Sequence, residues 1–419
     1  MEKKFRERVV ITGLGVIAPN GTGKERFWQA NINGKSGISL IESFDTSQLE
    51  TRIGGIVKDF EPLRYIERSL LDKLDRFAQL GIAGAKMAVE DANLSLADED
   101  RKKIGVSVGS GLGGVLFHEE QIMTMKELGL RRANPLGVLK VMPNAINAHI
   151  SIELGLKGPS LTISTACSSG LHAIGYAFNL IRNKKVDVMI AGGAEAPLTP
   201  FTFSAFNALR VMSRRNDSPS EASRPFDAER DGFVLAEGAG FVVLESLEHA
   251  LRRNAHIYAE IVGYGANSSA YHIVVPQPNG EDISAVMKSA LKDAGINPEE
   301  VDYINAHGTS TQANDRVETQ AIKEVFGEYA YKIPISSTKS MIGHTIGAAG
   351  AIGAIVSALA IKENLIPPTI NYKVPDPNCD LDYVPNIARE KSIKVALINS
   401  FGFGGSNASL IIKKFENTI

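Results

Sequence analysis

The sequence predicts an α/β fold made of two similar halves. Three observations carry this reading: short β-branched apolar runs recur along the 419 residues, stretches of helical periodicity fall between them, and the order of elements repeats after about residue 255. Strands alternating with helices imply largely parallel sheets whose faces are covered by helices.

In the first half, Val9, Val10, Ile11 and Thr12 read as a buried strand bounded by glycines. Further strands are expected at 104–108, 161–164, 186–191 and 240–244. The second half places strands at 260–264, 301–306, 333–336, 395–400 and 409–413, with helices at 283–294, 316–326 and 347–363. Each half opens with a strand entering a glycine turn, at 11–15 and at 261–265, and closes with a hydrophobic strand. The expected division is 1–255 and 256–419. No low-complexity linker separates the two, so they should share a packed interface. Segments 134–151 and 210–230 read as insertions. The nearly uncharged run 342–361 is long enough to cross a bilayer. It holds His344 and consists mainly of Gly and Ala, which suits a buried helix approached closely by its neighbours.

Lys and Arg total 45 against 47 Asp and Glu, a net charge of −2, so neither nucleic acid nor an anionic membrane is expected as the main partner. With 44% hydrophobic and 22% charged residues, disorder is excluded as the main state. Two cysteines, Cys167 and Cys379, cannot build a disulfide framework. The charged start of the chain is no signal peptide, and the expected compartment is the cytoplasm.

Gly13, Gly15 and Ala18 fit the G-x-G-x-x-A dinucleotide fingerprint. Pro19, Gly21 and Gly23 interrupt the helix that should follow it, and helical patterning restarts only near Lys24. A tight strand turn is the favoured reading.

Cys167 stands between the strand at 161–164 and a helical run through Ile181. At a helix N-terminus, unpaired N–H groups and the helix dipole favour a thiolate, so its pKa is expected to fall. Strand, sharp turn, nucleophile and helix is a known way to present a reactive side chain. The same cysteine also suits a small buried hydrophobe. Cys379, in a Pro-containing loop, has no comparable setting. Candidate partners for a cysteine nucleophile are His307 and His344, both just beyond strand ends, where parallel α/β sheets gather ligand chemistry. His118, His149, His172, His249, His256 and His272 read as ordinary surface or core residues. No close Cys or His pair has metal-ligand spacing, so no metal is expected. A glycine-rich turn at 399–407 reads as a plain turn or as a place where backbone N–H groups meet a reacting oxygen.

Together, Thr165-Ala166-Cys167-Ser168-Ser169-Gly170, Asn305-Ala306-His307-Gly308-Thr309-Ser310-Thr311, Lys339-Ser340-Met341-Ile342-Gly343-His344 and Gly402-Phe403-Gly404-Gly405 closely resemble the β-ketoacyl-[acyl-carrier-protein] synthases, with a fifth match at 224–233. The resemblance runs from Val9 to the last strand and is nearest the elongating class II branch. It implies a thiolase fold, with two α/β halves in an αβαβα arrangement of layers, and a homodimer. It also implies an acyltransferase that condenses acyl and malonyl groups on acyl carrier protein in fatty acid synthesis, with no cofactor of its own. By this resemblance Cys167, His307, His344, Lys339 and Phe403 form the catalytic set, and Glu318 acts electrostatically with Lys339. Thr309 and Thr311 bind the phosphopantetheine arm, while Leu112 and Phe206 line the acyl pocket. Docking of the acidic carrier is expected at Lys73, Arg131, Arg132 and Arg210. Two rivals stay open: a polyketide ketosynthase, and a silent acyl-binding scaffold of the same fold.

Overall fold

The computed structural model describes residues 6–417. Residues 1–5, which begin the charged start read as no signal peptide, and 418–419 lie outside the described residues. The main sheet has ten strands along its path: β1 Val9–Ala18, β2 Ile104–Gly109, β3 Ser160–Ile163, β4 Val188–Glu195, β5 Gly238–Ser246, β6 Ala259–Ser268, β7 Tyr303–Asn305, β8 Ile335–Ser336, β9 Val395–Phe401 and β10 Ser406–Lys413. The longer helices are α1 Lys24–Ile32, α2 Arg76–Asp91, α3 Val115–Leu128, α4 Ala145–Leu154, α5 Ser169–Arg182, α6 Pro200–Ala208, α7 Glu281–Ala294, α8 Gln312–Phe326 and α9 Ala349–Glu363.

The strand order is β8-β7-β9-β10-β6-β1-β5-β4-β2-β3. It repeats one topology on either side of the β6/β1 junction, where residues 9–11 pair antiparallel with 259–261. In each half three strands are parallel, β3-β2-β4 and β8-β7-β9. The first and last strand of each half add antiparallel to that core. The expectation of largely parallel sheets is corrected accordingly. The sequence rhythm does not distinguish an antiparallel strand buried on both faces from a parallel one.

Burial explains why these runs form strands. On β5, Phe241 and Val243 face one apolar layer while Val242 and Leu244 face another, the two-residue period of a strand covered on both sides. The first layer lies against α2 and α4, which carry Leu80, Ile82, Ile146 and Ile150. The second holds α5 and α9 between the two halves, with Ile174, Ile355 and Leu410. A third, including Val286, Ile322, Leu397 and Ile411, joins the second half to α7 and α8. The result is the five-layered thiolase arrangement. The apolar segment Ile346–Glu363 is this central helix with the turn before it, and it is mostly buried inside the protein.

The glycines at 13 and 15 correct a second expectation. β1 continues through them, with a register irregularity against β5 between Ile11 and Gly13, so they neither end the strand in a turn nor cradle a phosphate. A Cβ on Gly13 would lie 2.2 Å from the Ala88 carbonyl oxygen of α2, and one on Gly263 would lie 2.4 Å from the Ala290 carbonyl oxygen of α7. The glycine pairs let an outer helix press onto the first strand of each half. The two segments read as insertions hold the short helix Gly137–Val141 with α4, and an irregular stretch after α6.

Candidate active site

β3 ends at Ile163, and a short turn, Ala166–Ser168, leads into α5. Ala166 is in the left-handed region at φ 50°, an uncommon conformation for a residue with a Cβ. Side-chain bonds hold the turn: the Ser169 hydroxyl accepts from Thr165 N at 2.9 Å and donates to the Ala166 carbonyl at 2.6 Å. Ser400 Oγ donates to the Cys167 carbonyl at 2.9 Å, tying the nucleophile's backbone to the end of β9. Cys167 is 5% exposed. Its thiol departs from the sequence expectation, because burial pushes it up to about 11. The Phe403 N–H and the Lys339 charge pull the other way without prevailing. The resting group is a thiol.

His307 follows β7, and His344 follows the helical turn Lys339–Ile342 beyond β8. Their rings meet edge to face with centroids 5.5 Å apart, and both line the cavity that reaches Cys167. Three distant segments thus converge at the carboxyl ends of parallel strands. Burial, with help from Lys339, holds both imidazoles well below the usual histidine range, hence neutral. Ile346 N donates to His344 Nδ1 at 3.2 Å. His307 Nδ1 and His344 Nε2 are buried without a hydrogen-bond partner among the described residues, as expected of groups left for a substrate.

Lys339 is buried, and burial lowers it to about 8 against the opposing pull of Glu318, Cys167 and Asp315. Glu318 makes no ion pair with it within 4.0 Å among the described residues. It accepts instead from His307 N and Gly308 N, each at 2.8 Å, and from Asn399 Nδ2 at 3.2 Å. Burial raises its carboxyl while these donors resist. The expected electrostatic partner of Lys339 therefore acts first as the clamp on the His307 turn.

The loop after β9 carries Phe403, with Gly404 at φ 81° and Gly405 at φ 78°, backbone that favours glycine. Phe403, Thr309 and Thr311 line the cavity with Cys167 and both histidines. Thr309 and Thr311 hydroxyls bond each other at 2.9 Å, and Thr311 Oγ1 also caps α8 by accepting from Asn314 N. Phe206 and Leu112 do not line this cavity. Phe206 meets Phe233 edge to face at 5.6 Å and lies tilted against Phe403 at 6.4 Å, and half-buried Leu112 sits beside Ser110 and Gly111 after β2. Lys73, Arg131, Arg132 and Arg210 are all exposed and, among the described residues, outside any ion pair.

Two residues have a place that the sequence reading did not give them: His272, read as an ordinary residue, and Glu195, not singled out. His272 lines the cavity mouth, its Nδ1 accepting from Val274 N and Val275 N at 3.0 and 3.1 Å. Glu195, at the end of β4, is wholly buried and accepts four hydrogen bonds. Its only sequence signal is a carboxylate inside an otherwise apolar run.

The comparisons agree with this geometry. Sequence models of the β-ketoacyl synthase N-terminal and C-terminal domains match residues 6–250 and 258–373. The chain is 48% identical to the 3-oxoacyl-[acyl-carrier-protein] synthase 2 of Coxiella burnetii, covering 99% of both, and 46% identical to that of Synechocystis, again covering 99% of both. Among solved structures it resembles AntDE:AntF, a type II PKS acyl-carrier protein in complex with its ketosynthase bound to the hexaketide, at TM-score 0.92 and 38% identity. That match covers 98% of this chain and all of the other. A β-ketoacyl synthase from Burkholderia phymatum superposes at TM-score 0.91 with 37% identity and the same coverage. Both family models, matched in order along one chain that folds as these solved ketosynthases do, make this protein a member of the β-ketoacyl synthase family.

Proposed function

We propose that the protein elongates acyl groups on acyl carrier protein by decarboxylative Claisen condensation, as a 3-oxoacyl-[acyl-carrier-protein] synthase of fatty acid synthesis. The observation that carries this is the meeting of Cys167 with two neutral imidazoles, His307 and His344, at one cavity. Cys167 Sγ attacks the acyl thioester delivered by the carrier, the phosphopantetheine thiol leaves with a proton, and an acyl-Cys167 thioester remains. Malonyl-carrier then loses carbon dioxide. The electron pair released forms an enolate whose oxygen receives hydrogen bonds from the two imidazoles. Its carbon attacks the acyl-Cys167 carbonyl, the C–S bond breaks, and a 3-oxoacyl-carrier two carbons longer departs while the sulfur regains a proton. Backbone N–H groups of Cys167 and Phe403 hold the oxyanion of the acyl-transfer steps.

In this reading Lys339 lowers the thiol and keeps the imidazoles neutral, Phe403 gates the acylated cysteine, and Thr309 and Thr311 hold the phosphopantetheine arm. Leu112 and Phe206 set chain length. No resident metal or organic cofactor is required. The carrier docks at Lys73, Arg131, Arg132 and Arg210, supported by their exposure and by the carrier-bound ketosynthase among the similar structures. A homodimer is supported by β3, one of the two edge strands of the main sheet, and by the exposed apolar residues Leu130, Val138 and Ile152, at 81%, 72% and 70%. Two unpaired buried cysteines suit the cytoplasm. The repeated topology supports the division at 255/256.

An elongation assay tests the reading: purified protein, malonyl-carrier and a ladder of acyl-carriers, with acyl-Cys167 and 3-oxoacyl products read by mass spectrometry. Products across medium and long chains are expected. Acylation without condensation would overturn the reading in favour of a polyketide partner or an acyl-binding scaffold.

A further inference from the structure

Glu195 stands at the centre of a knot of three loops. Its Oε1 accepts from Ser110 Oγ at 2.9 Å and Leu112 N at 3.1 Å, and its Oε2 accepts from Gly111 N at 2.6 Å and Gly347 N at 3.0 Å. All four neighbours donate, and no cation lies within ion-pair distance among the described residues. Two of the loops come from opposite halves of the protein: 110–112 follows β2, and 345–347 enters the central helix α9 just after His344. The third, at Ala166 beside Cys167, lies against Gly111, whose added Cβ would stand 3.5 Å from Ala166 Cα, 3.1 Å from Ile346 Cγ2 and 3.1 Å from Glu195 Oε2. Both flanking residues are in the left-handed region, Ala166 at φ 50° and Ile346 at φ 42°. For β-branched Ile346 that conformation persists only where its surroundings over-determine it. The bond from Gly347 N to Glu195 supplies part of that restraint, one residue beyond the N–H that fixes the His344 ring. Burial pushes the Glu195 carboxyl up to about 7 against the pull of its donors.

We infer that Glu195 is a positioning residue that locks the Leu112 loop to the turn after His344, so that one buried carboxylate sets both the acyl-length preference and the seating of the imidazole. This rests on the condensing-enzyme reading above. A glutamine fits the same space but has one acceptor oxygen: its amide nitrogen faces either the Gly111 and Gly347 N–H groups or the Leu112 N–H, beside a Ser110 hydroxyl that can turn to accept. Glu195→Gln therefore leaves at least one backbone donor without its acceptor, Leu112 N or the Gly111 and Gly347 pair, and loosens the tie between the loops.

The test uses the full-length enzyme and compares wild type, Glu195→Gln, Leu112→Ala and the double variant. Acyl-Cys167 formation is followed with short, medium and long acyl-carriers, beside thermal melting and condensation rate. Glu195→Gln should reduce the long-to-short acylation ratio about tenfold or more and slow condensation further. In the Leu112→Ala background it should leave that ratio unchanged, because the side chain it positions is gone. If Glu195→Gln does not fold, Ser110→Ala removes a single donor and should shift the ratio the same way by a smaller factor. A parallel fall at every length, an unchanged ratio, or a shift that persists undiminished in the Leu112→Ala background would overturn the role given to Glu195. Wild-type enzyme that no acyl-carrier acylates would refute the underlying reading and this inference together, whereas acylated wild type with any of those three patterns refutes the inference alone.

Discussion

The N–H of Ile346 donates to Nδ1 of His344 at 3.2 Å. In a neutral imidazole one nitrogen accepts and the other carries the proton, so this bond places the hydrogen on Nε2, the buried nitrogen without a partner. The ring thereby presents a donor to the cavity before any substrate arrives.

His344→Ala removes that donor and leaves Cys167 in place. The acyl-enzyme should still form, while condensation falls by about 10²–10³-fold, the scale of losing one oxyanion donor. Single-turnover mass spectrometry separates the two steps. Equal loss of both would contradict the division of labour.

Cys167 alkylation by iodoacetamide should have an unusual pH dependence. The thiol, pushed up to about 11 by burial, gains thiolate with every step in pH, so the rate keeps rising and shows no plateau near neutrality. Lys339, lowered to about 8 by burial, loses its charge as pH passes that value, and the rise becomes shallower there. Lys339→Met should alkylate several-fold more slowly below pH 8 and converge with wild type above it. A wild-type plateau at neutral pH would show that the helix end outweighs burial.

Gly404 at φ 81° and Gly405 at φ 78° differ in their surroundings. A Cβ on Gly404 meets only Ile273 Cδ1 at 3.8 Å, whereas one on Gly405 meets Ser269 Cβ at 3.0 Å. Gly404→Ala should cost about 1–2 kcal/mol, the penalty of left-handed backbone alone. Gly405→Ala should cost more because it adds a steric clash. Urea denaturation midpoints order the two.

Far from the cavity, Glu245 on β5 accepts from Thr12, from Arg253 Nε at 2.8 Å and from His249 Nδ1, and His249 Nε2 reaches Glu99 at 2.9 Å. Burial raises the Glu245 carboxyl, but these donors bring it down to about 2. Burial lowers His249, but its two carboxylates leave it raised. The carboxylate's contribution to stability is complete above about 4.5 and is lost as pH falls toward 2. The histidine's is complete below about 6.5 and is lost as pH climbs through its raised value. The cluster therefore stabilises most between those limits. Glu245→Gln should cost ~3 kcal/mol, since it leaves buried cations uncompensated, and should flatten the dependence of melting temperature on pH.

Cys167, His307 and His344 were legible because each sits in a short polar or glycine-rich motif after an apolar strand, the last with the helical turn Lys339–Ile342 between, and parallel strands deliver such ends to one place. The paired halves were legible for a related reason: the same order of elements occurs twice. The thiol's pKa was misjudged because helix-end electrostatics can be read from sequence, whereas the depth of burial depends on how distant chain segments close over the sulfur. Gly13 and Gly15 were misread because a close helix approach and a tight turn both require glycine, and only the position of α2 distinguishes them. Glu195 had no pattern to mark it, since its donors come from residues 84 and 152 positions away along the chain.

Helix α9 has a consequence for how the protein tolerates change. From Ala349 to Ile361 every residue is buried, because the two halves of the main sheet and α5 close around it. A saturation scan along this helix should lack the three-to-four-residue rhythm of tolerated and forbidden positions that α7, with its exposed side, would display. It should be restrictive at every step, and most restrictive at Gly350 and Gly353, where a methyl group would enter Leu171 and the Asn305 amide. The stretch of sequence that most resembles a membrane span is in this way the part of the protein least free to drift.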